Sequence, residues 1–156
     1  MKNFIVSDIY YDRAVSLTKN YLDIKLSELG SDSIVYYRIC GTQLSTLHER
    51  PSLTKKIFPN YCPKLSIDNI IDNPIFYVIL NYPLSKVVEI PINIMDLTWI
   101  DLFMEITNVY SELFYNQDKY GVYFWGHSIN DLDLGHLIFR KDPVYNKNII
   151  LLYIDS

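Results

Sequence analysis

The sequence predicts an α+β fold: an antiparallel or mixed sheet with two main helices packed on one face and a C-terminal β-hairpin. Three observations predict it. Residues 98–116, TWIDLFMEITNVYSELFYN, repeat apolar side chains at helical spacing. Short runs such as SIVYYRIC, IFYVIL and NIILLYI have the length and the β-branched, aromatic content of strands. Residues 86–94 alternate apolar and polar side chains, as a strand with one buried face does. The length fits a single globular domain over residues 1–156.

In chain order, residues 3–6 read as a short strand. Ser7 or Asp8 then caps an amphipathic helix that runs to about Leu29 and stops at Gly30. Residues 33–40 read as a strand ended by Gly41. From 42 to 74 the periodicity disappears, and Pro51, Pro59, Pro63 and Pro74 punctuate an irregular excursion. Residues 75–80 form a continuous apolar run, as in a strand buried on both faces. The turn Tyr82-Pro83-Leu84-Ser85 follows. Residues 86–94 then alternate, with Val88, Ile90, Ile92 and Ile94 facing inward and Glu89, Pro91 and Asn93 outward. Pro91 has no N–H for a ladder, which places this strand at an edge or a bulge.

The segment 98–139 organises the chain. Thr98 and Asp101 have the spacing of a capping box. Trp99, Leu102, Phe103, Ile106, Val109, Tyr110, Leu113 and Phe114 line the apolar face, widened by Ile100 and Met104. Asp101, Glu105, Asn108 and Glu112 form a narrow polar line. Carboxylates at that spacing can bind a divalent cation, but a solvated helix edge is the simpler reading. The expected packing sets Trp99, Phe103, Ile106 and Tyr110 against Val78, Leu80, Ile90 and Ile92. After the helix, residues 116–119 read as a polar turn, 132–139 as a strand, 141–147 as a loop and 148–154 as a last strand, paired antiparallel with the one before.

Composition excludes several functions. Nearly half the residues are hydrophobic and 14 are Tyr, so the chain can build a core and is not disordered. The net charge is −4, and the basic pairs Lys55-Lys56 and Arg140-Lys141 extend into no patch. A nucleic-acid partner is therefore not expected. No apolar run is long enough for a membrane span, and no signal peptide is read at the start, so the expected setting is cytoplasmic. There Cys40 and Cys62 are expected as free buried thiols, since their spacing matches no zinc or redox motif. No cofactor or metal is expected.

The candidates for chemistry gather at Trp125-Gly126-His127-Ser128. A nucleophile elbow needs Gly-x-Ser-x-Gly, and position 130 is Asn130, so a serine hydrolase of that kind is disfavoured. An alternative enzyme reading, a small hydrolase or metal-dependent enzyme, has His127 oriented by Asp131 one turn later, with His48 brought in from the excursion as a lid residue. His136 with Asp133 could add metal ligands, but strand alternation sets His136 with Leu132, Leu134 and Ile138, opposite Asp133. The structural reading has Gly126 making a sharp turn, Trp125 plugging the core between helix and hairpin, and His127 or Asp131 hydrogen-bonding the loop backbone.

The pattern Tyr120-Gly121 … Trp125-Gly126-His127-x-x-x-Asp131-Leu132, behind a long aromatic helix and ahead of a terminal Ile154-Asp155-Ser156, resembles the C-terminal half of small uncharacterised proteins of large DNA viruses. The likeness covers residues 98–156. It implies a viral origin, in a host cytoplasm or a virion, and implies no established activity. The bias toward Ile, Asn, Tyr and Lys with a single Ala, Ala14, fits an AT-rich genome. The leading expectation is a non-enzymatic interaction or structural protein that contacts a protein partner or itself. A homodimer would form through an edge strand at 86–94 or 148–154.

Overall fold

The computed structural model describes residues 3–7, 35–43, 73–142 and 146–155. The expected first helix, most of the 42–74 excursion, His48 and Cys62 lie outside the described residues. So do the side chains of Cys40, Trp99, Ile100 and His136.

The described strands are β1 (Ile5–Ser7), β2 (Val35–Gln43), β3 (Ile75–Leu80), β4 (Val87–Asn93), β5 (Asp133–Asp142) and β6 (Lys147–Asp155). They form one sheet in the order β1-β4-β3-β6-β5-β2. The sheet is mixed: β3 and β6 run parallel, and every other neighbouring pair is antiparallel. The domain is α+β, with the C-terminal strand pair β5–β6 antiparallel as expected.

Helix α1 (Trp99–Tyr115) follows β4 after a short 3-10 turn, Ile94–Asp96. Its start is specified locally. Thr98 Oγ1 accepts the Asp101 N–H, and Asp101 Oδ2 accepts the Thr98 N–H, each at 3.1 Å. This reciprocal box satisfies two N–H groups that a helix start otherwise leaves open. Leu102, Phe103, Ile106, Val109, Tyr110 and Leu113 are buried in one cluster with Val78, Leu80, Ile90 and Ile92. Of the polar line, Asp101 is exposed and Glu105, Asn108 and Glu112 are half-buried, so it is the wet edge of the helix.

Residues 116–119, expected as a turn, instead enter a one-turn helix, α2 (Gln117–Tyr120). Gly121 ends it with φ +64, the left-handed conformation that glycine adopts without a Cβ penalty.

Four strand readings are corrected. β2 does not stop at Gly41 but runs to Gln43 across an irregularity between Arg38 and Thr42. β5 carries an extra residue, Gly135, so that Leu134 pairs with Ile154 and His136 with Tyr153. The buried positions pass from Leu132 and Leu134 to Leu137 and Phe139, and the parity that grouped His136 with Leu134 ends at this bulge. β6 is central rather than an edge, because β3 and β5 pair with its two sides, so residues 148–154 offer no edge for a homodimer. β4 is second from the edge. β1 covers it only at Val87–Glu89, and Pro91 lies past that reach.

Glu89 was also expected to face outward and is 2% exposed. Both faces of β4 and β3 are covered: Ile79 and Leu151 are also buried, on the side away from the α1 cluster. Lys147 Nζ stands 3.7 Å from Glu89 Oε1, an ion pair longer than a hydrogen bond, and that oxygen has no hydrogen-bond partner. Lys147 also lies over the Tyr77 ring at 4.5 Å. Burial raises the Glu89 pKa above its ordinary 4.5, and Lys147 opposes only part of the rise.

The folded protein therefore holds this proton more tightly than the unfolded chain. Its contribution to stability is complete below the unfolded value and is lost as pH rises through the folded one. Measured by denaturant melts across a pH series, the wild type should lose stability relative to Glu89→Gln as pH rises from 4.5. Parallel curves would mean that Glu89 is not desolvated.

Candidate functional site

The segment after α2 is built by alternation. Beyond Gly121, burial alternates from one side chain to the next, the pattern of a run whose successive side chains point to opposite sides. Val122 and Phe124 are buried, while Tyr123 and Trp125 are 44% and 67% exposed. The run is stitched to the 82–85 turn: the Ser85 N–H donates to the Tyr123 carbonyl, and the Tyr123 N–H donates to Ser85 Oγ, both at 2.8 Å. Phe124 packs edge-to-face against Phe114 and Tyr110, with centroids 5.2 and 6.3 Å away. Tyr110 is fully buried, and its hydroxyl donates to the Tyr82 carbonyl at 2.8 Å. Burial holds that phenol protonated far above its ordinary range.

The core plug expected of Trp125 is thus Phe124. Trp125 sits at the tip of a turn closed by the His127 N–H donating to the Phe124 carbonyl at 2.9 Å. Its two central residues, Trp125 (φ +48) and Gly126 (φ +81), both have left-handed backbone. Gly126 adopts this freely, and a side chain there would meet open space. Trp125 does so against the steric preference of an L-residue.

The chain then enters a 3-10 turn at Ile129–Asp131, capped by Ser128. Asp131 Oδ2 accepts the Ser128 N–H at 3.2 Å, and Ser128 Oγ accepts the Asn130 N–H at 3.3 Å. Asp131 therefore holds the loop backbone, one of the two structural roles read for this segment. His127 does not share it. Its Nε2 lies 3.4 Å from the Tyr82 hydroxyl, and the two rings meet edge-on at 5.6 Å.

No hydrogen bond joins His127 to Asp131 among the described residues. The imidazole is directed to Tyr82 and the carboxylate to the backbone. The Ser128 hydroxyl is engaged by its own turn, accepting the Asn130 N–H. Among the described residues, no group of three or more His, Cys, Asp or Glu is placed to hold a metal ion. His48, the third candidate, lies outside the described residues.

Sequence reasoning missed Tyr82, which is 40% exposed and 45 residues from His127. Its position before Pro83 signals a turn and nothing about a neighbour. On the other flank, the Tyr123 hydroxyl donates to Asp118 Oδ1 at 3.2 Å, and this bond, with the carboxylate's charge, raises the phenol pKa. Tyr82, Tyr123 and Trp125 are thus exposed aromatic side chains, His127 is half-exposed, and Trp125 stands on an ordered turn.

Because the His127 contact is long and exposed, His127→Ala should cost less than about 1 kcal/mol in a denaturant melt. A larger loss would restore His127 as the residue that holds the reversal.

Comparison with protein-family models, with curated proteins and with solved structures returns no match. No helix among the described residues is long and apolar enough to cross a membrane.

Proposed function

We propose that this chain is a non-enzymatic protein–protein interaction protein, of viral origin as its C-terminal pattern suggests, and that the turn carrying Trp125 is its contact surface. The observation that carries this reading is Trp125 itself. The largest side-chain type stands 67% exposed at a position where its backbone is left-handed. Such a residue brings little burial to the fold and costs backbone energy, and strain of this kind is kept where the site has a use for it. Tryptophan and tyrosine are also the side chains that concentrate binding energy at protein interfaces. Asp131, Ser85 and the buried Phe124 order the turn beneath them, so little entropy remains to be lost on binding.

The test is Trp125→Gly. Glycine removes the left-handed penalty at the price of a freer unfolded chain, so stability should rise by about 0.5–1 kcal/mol. In the same experiment, proteins cross-linked to the wild type in its native source should be lost from the variant. A variant less stable than the wild type would show that Trp125 serves the fold, and would overturn this reading.

A further inference from the structure

The bulge in β5 brings together residues that regular alternation would separate. Before it, Leu132 and Leu134 lie in the cluster under α1; after it, Leu137 and Phe139 do. The extra residue, Gly135, shifts the parity once. Asp133 and His136 therefore fall on the same face of the sheet, the one away from α1. On β6, Ile150, Leu152 and Ile154 lie in that same cluster, so Tyr153 and Asp155 fall on the other face with them.

The register sets the spacing. Asp133 is the direct partner of Asp155, and His136 is that of Tyr153. Direct partners stand about 5 Å apart at Cα, and diagonal neighbours about 7–8 Å. Asp133, Asp155 and His136 thus occupy adjacent positions on one face of two neighbouring strands. Asp133 is half-buried; the side chains of His136 and Asp155 lie outside the described residues, and backbone register places them.

We propose that these three residues form a binding site for a first-row transition-metal dication, with two carboxylates and one imidazole as its ligands. Imidazole nitrogen and aspartate oxygen are donors that zinc takes, and three protein ligands leave a position open. The imidazole selects against magnesium and calcium, which favour oxygen alone. Like charges directly opposite each other on neighbouring strands destabilise a sheet, and a dication held between Asp133 and Asp155 reverses that repulsion. Arg38 on β2 is the other register partner of His136, and it is the competing neutraliser of the two carboxylates. The site uses no residue of the Trp125 turn.

The test titrates zinc chloride into the full, untagged chain after treatment with a chelator and dialysis, followed by calorimetry and by thermal melts. One equivalent should bind, and the melting temperature should rise with zinc concentration. Asp133→Asn, Asp155→Asn and His136→Gln should each weaken binding at least about tenfold, the loss seen even for groups that only support a ligand. Asp118→Asn, away from this strand pair, should leave it unchanged. Magnesium chloride should bind far more weakly than zinc. Without metal, Asp133→Asn should melt at or above the wild-type temperature, because one of two opposed charges is gone.

No zinc binding, an equal response to magnesium, or three variants that bind as the wild type does overturns the site. A metal-free Asp133→Asn variant that melts below the wild type overturns it as well, since the carboxylate is then already paired within the chain.

Discussion

Phe103→Ala should lower stability by about 3–5 kcal/mol, the cost of truncating a buried phenylalanine that neighbours cannot collapse around. For a domain of this length that is a fall of about 6–20 °C in melting temperature. Phe103 has no exposed surface and shares one cluster with Val78, Leu80, Ile90 and Ile92, so its loss opens a void between helix and sheet rather than at a rim. Two-state thermal melts of the wild type and variant decide it. An unchanged melting temperature would mean that α1 packs by a different face.

Phe124→Ala should cost about as much, about 3–5 kcal/mol, whereas Trp125→Ala next to it should change stability by no more than about 0.5 kcal/mol. Phe124 is 1% exposed between Tyr110 and Phe114, while Trp125 projects from the tip of the turn. Paired denaturant melts of the two variants separate the core residue from the surface residue. Equal losses would mean that both rings pack inside, and would remove the contact surface proposed above.

The capping box at Thr98, the span of α1 and the strand at Ile75–Leu80 were legible because each depends on contacts a few residues apart. A side-chain oxygen reaching three residues along the chain, or an apolar run of strand length, is written in the local order of residues. The β5–β6 pair was legible for a similar reason, since short connections favour antiparallel neighbours.

The long-range features were not legible. Nothing local says that β6 lies between β3 and β5, and that insertion turns an expected edge into the centre of the sheet. Glu89 has the alternation of an outward residue, yet the second face of β4 is covered, and a period of two cannot tell whether its outer side meets water.

The functional segment divides along the same line. The sequence alone determined that Gly126 permits a turn and left open whether His127 or Asp131 holds the loop backbone; the structure gives that role to Asp131, through the Ser128 N–H. Only the tertiary structure decided which aromatic is buried. That depends on the parity with which the run leaves Gly121, and on the bonds from Ser85 that hold it in that parity. It also decided that His127 meets Tyr82 rather than Asp131, a pairing across 45 residues made by the way the 82–85 turn docks beside this run. Side-chain identity sets what a residue can bond to; the packing of distant segments sets what is within reach.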